Sequence, residues 1–203
     1  MGYNVHSIFS TPVLESTLEV SSEIVDYVNL LQYTRTDSNN ADISELKNIL
    51  DHSIFFNYSK QINALVDEFV FAVSKFDKNK LILNRVASWV NRHHYADWAQ
   101  NHFHANSFVS GVWYLETSEN CGDLIMQNPY VGFGIPLEYS KTEDNEYNSN
   151  SCIFPAIKNK IYIFPSTLRH SVCRNETKNM RTSIAFNYYA RGMLATENNI
   201  IYS

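Results

Sequence analysis

The periodicity of apolar residues changes once along the chain, near Lys80, and this change restricts the fold more than any other feature. Before Lys80, apolar residues recur at helical spacing within residues 22–33 and 59–76. After Lys80 they alternate with polar residues as far as residue 189, which is typical of strands. The sequence therefore predicts N-terminal helices followed by a β-rich region.

Shorter elements complete this prediction. Residues 3–13 are expected to form an edge strand, residues 34–40 a polar linker and residues 41–50 a short helix. In the β-rich region the candidate strands are residues 81–91, 101–104, 108–116, 123–127, 151–154, 160–164, 171–174 and 181–189. The polar stretch 138–150 is expected to be a loop between strands.

Many short strands after a helical third predict a mainly β fold, a double-stranded β-helix (jelly roll) with helices packed on one sheet. One domain is expected over residues 1–203, with a helical part at about 20–78 and a jelly-roll core at about 80–191. Trp113 and Tyr114 are neighbours on one strand, so one should point into the barrel and the other into the outer layer.

Composition excludes several classes of function. The formal charge is -5, and no run of Lys or Arg could follow a phosphate backbone, which argues against a nucleic-acid partner. No apolar stretch approaches the roughly 20 residues that cross a bilayer, and no secretory signal is visible. The 3 cysteines match neither a disulfide framework nor a CxxC metal site, so we expect a reducing cytoplasm.

Four of the 7 histidines lie between residues 93 and 104. On a strand, His102 and His104 would point to the same face with Cα atoms about 6.6 Å apart, so both could bind one metal. Imidazole suits iron, zinc, copper or nickel. The alternative is two exposed strand histidines without a ligand. His93 and His94 are expected at the rim of a pocket.

Three segments carry a resemblance to a known family: NHFHANSFVSGVWYLETSENCGDLIMQNP at 101–129, IYIFPSTLRHSV at 161–172 and RTSIAFNY at 181–188. The opening IFSTPV at 8–13 adds to it. The chain resembles the 2-oxoglutarate and Fe(II)-dependent oxygenase superfamily, in particular a prolyl-hydroxylase-like subgroup seen in marine bacteria and phages.

The resemblance implies a site and its cofactors. His170 would be the distal metal ligand, and Arg181, eleven residues further on, would bind the distal carboxylate of 2-oxoglutarate with Ser183 beside it. The cofactors would be Fe(II), the co-substrate 2-oxoglutarate and O2. The implied enzyme is a non-haem Fe(II) dioxygenase that converts 2-oxoglutarate to succinate and CO2 and hydroxylates a second substrate.

The sequence departs from the family where its usual His-x-Asp/Glu motif would stand. If His102 is the first ligand, His104 replaces the carboxylate, and the metal ligands would be His102, His104 and His170. If His104 is first, its partner is Asn106, a poor donor. We prefer three histidines, while Asp97 and Asp123 remain alternative ligands.

Two readings compete with an oxygenase: a cupin-like metal-binding or sugar-binding module, and a vestigial jelly roll without turnover. Only an oxygenase needs a buried arginine eleven residues past the last histidine. The expected substrate is a peptide residue or a small metabolite, and the sequence leaves the oligomeric state open.

Overall fold

The computed structural model describes residues 2, 4–6, 9–37, 40–130 and 142–193. Two α-helices lie in the N-terminal part, α1 (Ser22–Asn29) and α2 (Phe56–Asp67), and α2 continues as a π-helical turn (Glu68–Val73). The strands are β1 (Leu14–Thr17), β2 (Tyr33–Thr36), β3 (Ala41–Ser44), β4 (Leu81–His93), β5 (Ala99–His102), β6 (Val109–Glu116), β7 (Leu124–Gln127), β8 (Ser151–Phe154), β9 (Lys160–Pro165), β10 (His170–Val172) and β11 (Arg181–Gly192).

These strands form two antiparallel sheets. The major sheet has the strand order β1-β9-β6-β11-β4-β3-β2, and the minor sheet has the order β5-β10-β7-β8. β11 lies between β4 and β6 and pairs with both along most of its length. The stacked sheets, with helices on one of them, confirm the predicted jelly roll.

The helices cover the outer face of the major sheet. The Oγ atom of Ser21 caps α1 by accepting a hydrogen bond from the amide of Ile24 at 3.4 Å. Apolar side chains at helical spacing then face the sheet and are buried there, namely Ile24, Val28, Ile62, Val66, Phe69 and Val70. Full burial of each such side chain contributes about 1.5–3 kcal/mol to the free energy of folding, so the helical layer stabilises the major sheet.

A second apolar cluster fills the space between the two sheets. Alternation along β6 places Trp113 in the helix-side cluster, where its Nε1 atom donates to the carbonyl of Leu18 at 2.8 Å. The next residue, Tyr114, points between the sheets. Its companions there include Tyr162, Phe164, Leu124, Met126 and Leu168. The inner faces of the two sheets therefore enclose the volume in which a site can form.

Two local predictions in the N-terminal part, at residues 41–50 and 34–40, are wrong. The segment 41–50, predicted as a helix, contains β3 and a 3₁₀ turn at Ile49–Asp51, because β3 pairs with β4 in the register Asp42↔Arg92. The segment 34–40, predicted as a linker, begins within β2, the hairpin partner of β3. Pairing with a long neighbouring strand outweighs the local helical pattern. The part at about 20–78 thus includes a β-hairpin.

The predicted edge strand at 3–13 is also misplaced. The described residues of that segment form no strand, and the edge strand β1 begins at Leu14, which pairs with Ile163 of β9. Pro12 lies just before it and has no N–H to donate to a ladder. Part of the predicted loop 138–150 lies outside the described residues. Within the described ranges, no helix combines the length and the apolar character needed to cross a membrane.

Candidate functional site

Three histidines converge where the minor sheet meets the inner volume. His102 ends β5 and His170 begins β10, and the two residues are Cα partners in the β5–β10 pair. His104 lies two residues past His102, and its backbone N–H donates to the carbonyl of Ser166 at 3.0 Å. One potential ligand atom from each ring lies within 4.8 Å of the others, so the three side chains could bind a single metal ion.

Backbone carbonyls orient two of these rings. The Nδ1 atom of His102 lies 2.8 Å from the carbonyl of Gln100, and that of His170 lies 2.9 Å from the carbonyl of Leu168. Because a carbonyl can only accept, each Nδ1 carries a proton, and Nε2 keeps its lone pair in the neutral ring. This is the tautomer that a metal-binding histidine adopts when a carbonyl supports it from behind.

Burial keeps two of the three histidines neutral. The pKa of His170 is lowered to about 3, mainly by burial, and that of His104 to about 4 by burial and by the neighbouring His102. Both rings are therefore unprotonated near neutral pH, the form that binds a metal. The ring of His104 also packs against Trp89, with centroids 6.0 Å apart, which holds it from the side of the major sheet.

Neither of the two acids that the sequence left as alternative ligands joins this cluster. Asp97 forms two hydrogen bonds with Arg35, at 2.5 and 2.7 Å, and accepts a third from the amide of His94 at 2.8 Å. Asp123 accepts from the amide of Ala156 at 2.9 Å. Among the described residues the candidate metal ligands are thus three imidazoles without a carboxylate.

A strip of polar side chains lines the inner face of the major sheet beside the triad. Cα partners on neighbouring strands point to the same face, and β11 and β4 pair Arg181 with His93 and Ser183 with Asn91. We call these four residues the polar strip. Asn91 is the member of the strip that connects to the triad. Its Oδ1 atom accepts from the Nε1 atom of Trp89 at 3.0 Å, and the ring of Trp89 packs against His104.

Arg181 is 99% buried, with a relative exposure of 1%. Its Nη1 atom donates to the carbonyls of Cys121, at 3.1 Å, and of Gly122, while its Nε atom has no partner. Burial lowers the pKa of Arg181, yet a guanidinium keeps its charge in proteins. No ion pair to Arg181 is present within the described ranges, so a buried positive charge is available to an anionic ligand.

His93 is the functional candidate that sequence reasoning misplaced. It was expected at a pocket rim with His94, but it is buried on the polar strip, whereas His94 is half exposed and its Nε2 atom lies 2.8 Å from a carboxylate oxygen of Asp42. The alternation of side chains along a strand could have identified this position, because Trp89, Asn91 and His93 point to one face when β4 extends to residue 93.

A separate cavity of about 410 Å³ lies at the other end of the major sheet. Its walls are mostly apolar and come from the segment after the π-helical turn, the start of β4, the segment before β6 and the end of β11; they include Phe76, Lys80, Phe108, Tyr189 and Met193. None of the triad or polar-strip residues lines it.

Two stacked sheets with a histidine triad and a buried arginine between them define a jelly-roll protein with a candidate metal centre. Residues 87–187 match the family model described as "Putative 2OG-Fe(II) oxygenase". That range contains the triad and the whole polar strip. The chain belongs to the 2-oxoglutarate and Fe(II)-dependent oxygenase superfamily and is an enzyme of that class.

Solved structures share the fold at low identity. A prolyl-4-hydroxylase of Pseudomonas putida is 12% identical, with a TM-score of 0.56 over 90% of this chain and 95% of that one. The α-ketoglutarate-dependent epimerase SnoN of nogalamycin biosynthesis is 12% identical, with a TM-score of 0.63 over 90% and 81%. HygX of Streptomyces hygroscopicus, with nickel and 2-oxoglutarate bound, is 12% identical, with a TM-score of 0.57 over 88% and 83%. No curated protein matches the sequence.

Proposed function

We propose that this protein is a 2-oxoglutarate- and Fe(II)-dependent dioxygenase that hydroxylates a peptide residue or a small metabolite. The observation that carries the proposal is a histidine triad at the minor sheet together with a buried arginine on the major sheet, which has no acidic partner among the described residues. In this proposal His102, His104 and His170 hold the metal. Arg181 and Ser183 bind the distal carboxylate of the co-substrate.

The residues present fit such a group. Two Nδ1–H groups are occupied by carbonyls, which leaves Nε2 lone pairs for a metal. The unpartnered Nε atom of Arg181 is a buried donor without an acceptor. Bound iron would supply the redox chemistry, in which O2 and 2-oxoglutarate react and succinate and CO2 leave.

The side chains of the protein would position the keto acid and exclude water from it. If the triad held a metal, its three ligands would leave coordination positions open, as an oxygenase site requires. Trp89, which packs against His104, is the Cα partner of Ala185 on β11. Arg181 lies four residues from Ala185, about 13 Å along the strand. A keto acid that spans from the triad toward Arg181 therefore lies along the polar strip. Aromatic side chains of the inner cluster, including Tyr114 and Phe164, exclude water from its walls.

The substrate class, location and domain organisation belong to the same proposal. Relatives by fold include a prolyl hydroxylase and an enzyme solved with hygromycin B, which supports a peptide or a small molecule. The three cysteines, at 121, 152 and 173, are free, which supports a cytoplasmic enzyme. Residues 1–203 are proposed to act as one domain. The prolyl-hydroxylase-like subgroup of marine bacteria and phages stays a prediction.

Anaerobic titration tests the proposal against a cupin-like or vestigial module. Protein reconstituted with Fe(II) should develop a weak visible charge-transfer band when 2-oxoglutarate is added. Arg181→Met should raise the Kd of 2-oxoglutarate by at least about tenfold, because a charged hydrogen bond is lost. Arg191→Met, at the far end of β11, is the control and should leave the Kd unchanged. Metal binding without a band would overturn the oxygenase assignment.

A further inference from the structure

His93 is a buried histidine whose two ring nitrogens have no hydrogen-bond partner. Its relative exposure is 4%, and both Nδ1 and Nε2 lack a donor or an acceptor. Burial of a polar group without a partner is unfavourable, and folded proteins satisfy nearly all such groups. An unsatisfied imidazole at this depth indicates a position that a ligand completes.

The surroundings of His93 identify the chemistry of that ligand. His93 faces the inner volume beside Arg181, its Cα partner on β11, and the Nε atom of Arg181 is likewise unpartnered. Donors without partners therefore lie on two neighbouring side chains of one sheet face. A group with two acceptor oxygens, such as a carboxylate, can satisfy both, and the guanidinium charge favours an anion.

The charge state of His93 supports the same reading. Burial and the neighbouring Arg181 lower its pKa to about 2, since the opposing effect of Asp97 is smaller and Arg35 and His94 also lower the pKa. The ring is therefore neutral at pH 7, with one N–H donor and one lone pair. A neutral donor adds to the binding of an anion without a second buried charge.

We propose that His93 is a second anchor for the distal carboxylate of the keto acid, donating a ring N–H to one carboxylate oxygen while Arg181 binds the other. The inference rests on the proposed function and adds a selectivity determinant to it. It makes the site selective for 2-oxo dicarboxylates over 2-oxo monocarboxylates. His93 acts on binding, and no proton leaves it.

Paired titrations test this role. The band of the Fe(II) protein is titrated anaerobically with 2-oxoglutarate and with 2-oxopentanoate, which keeps the chelating end but has a methyl group in place of the distal carboxylate. His93→Leu should raise the Kd of 2-oxoglutarate by about tenfold and leave the Kd of 2-oxopentanoate unchanged. His93→Gln, which retains an N–H donor, should recover most of the loss.

The other outcomes of these titrations distinguish failure of the His93 role from failure of the proposed function. An unchanged Kd of 2-oxoglutarate in His93→Leu, or a parallel rise for both keto acids, overturns the role of His93 while the proposed function stands. Absence of a band in the unsubstituted protein with either keto acid overturns the proposed function and this inference together. His94→Leu is the matched control, since that side chain is half exposed and pairs with Asp42.

Discussion

His102 and His170 face each other across the β5–β10 pair, with ring centroids 4.3 Å apart. They are separated by 68 positions in the chain, and their contact exists only because β10 lies between β5 and β7 in the minor sheet. Each ring is fixed from behind by a carbonyl two residues earlier. In both rings the carbonyl occupies Nδ1, so Nε2 is the nitrogen left for a metal.

Removal of one triad member should abolish metal binding without unfolding the protein. His170→Ala is expected to lower Fe(II) affinity by at least about 100-fold, because substitutions in the second coordination layer alone cost 10–100-fold. Iron content after anaerobic reconstitution and desalting measures the effect. His6→Ala, an exposed histidine, is the control and should keep its iron. Equal iron in both variants would exclude the triad as the metal site.

Asp97 should matter for stability and not for the metal. Burial raises its pKa, but hydrogen bonds from Arg35 and from the amide of His94 outweigh this and lower it overall. Asp97→Asn should reduce the free energy of unfolding by about 1–3 kcal/mol, since Arg35 loses a charged partner. Chemical denaturation gives the stability and iron analysis gives the stoichiometry. Loss of iron in a folded Asp97→Asn protein would make this residue a ligand.

Acid should destabilise the protein partly through His93. Its folded pKa of about 2 lies below the ordinary value of 6.5, so the unfolded chain binds more protons and stability falls as the pH drops through 6.5. Between pH 7.5 and 5.5 this residue should cost about 1.4 kcal/mol. His93→Leu should lose correspondingly less over that interval, as measured by urea denaturation at both pH values. An identical loss in the two proteins would show that His93 is protonated when folded.

A methyl group cannot be added at Gly111 in β6. A Cβ atom there would lie 2.3 Å from the ring of Phe186 and 2.8 Å from the carbonyl oxygen of Tyr162. Gly111→Ala should therefore lower the free energy of unfolding by about 1–3 kcal/mol or more. Gly2→Ala, where nothing lies within 4 Å, is the control for thermal denaturation. Equal melting temperatures of Gly111→Ala and the unsubstituted protein would show that the Phe186 ring and the Tyr162 carbonyl can move away from the added methyl group without a loss of stability.

The alternation of side chains along a strand explains which parts of the site could be predicted from sequence. Arg181 and Ser183 are two residues apart on β11, and residues i and i+2 of a strand point to one face whatever the tertiary structure. The same spacing identified His102 and His104, although β5 ends at His102 and His104 follows it. His93 was missed because its role depends on where β4 ends. Once β4 extends to residue 93, pairing with β11 buries the ring beside Arg181.

The change from helical to strand periodicity, the jelly-roll class, and the pairs His102/His104 and Arg181/Ser183 could be predicted from the sequence, because they depend on residues close together in the chain. The remaining features arise from contacts between distant segments. Pairing with β4 made residues 41–44 a strand, and pairing of β10 with β5 brought His170 to His102. Packing of the sheets left Arg181 and His93 buried without full hydrogen bonding. Such outcomes depend on contacts between distant segments, and no local pattern encodes their register.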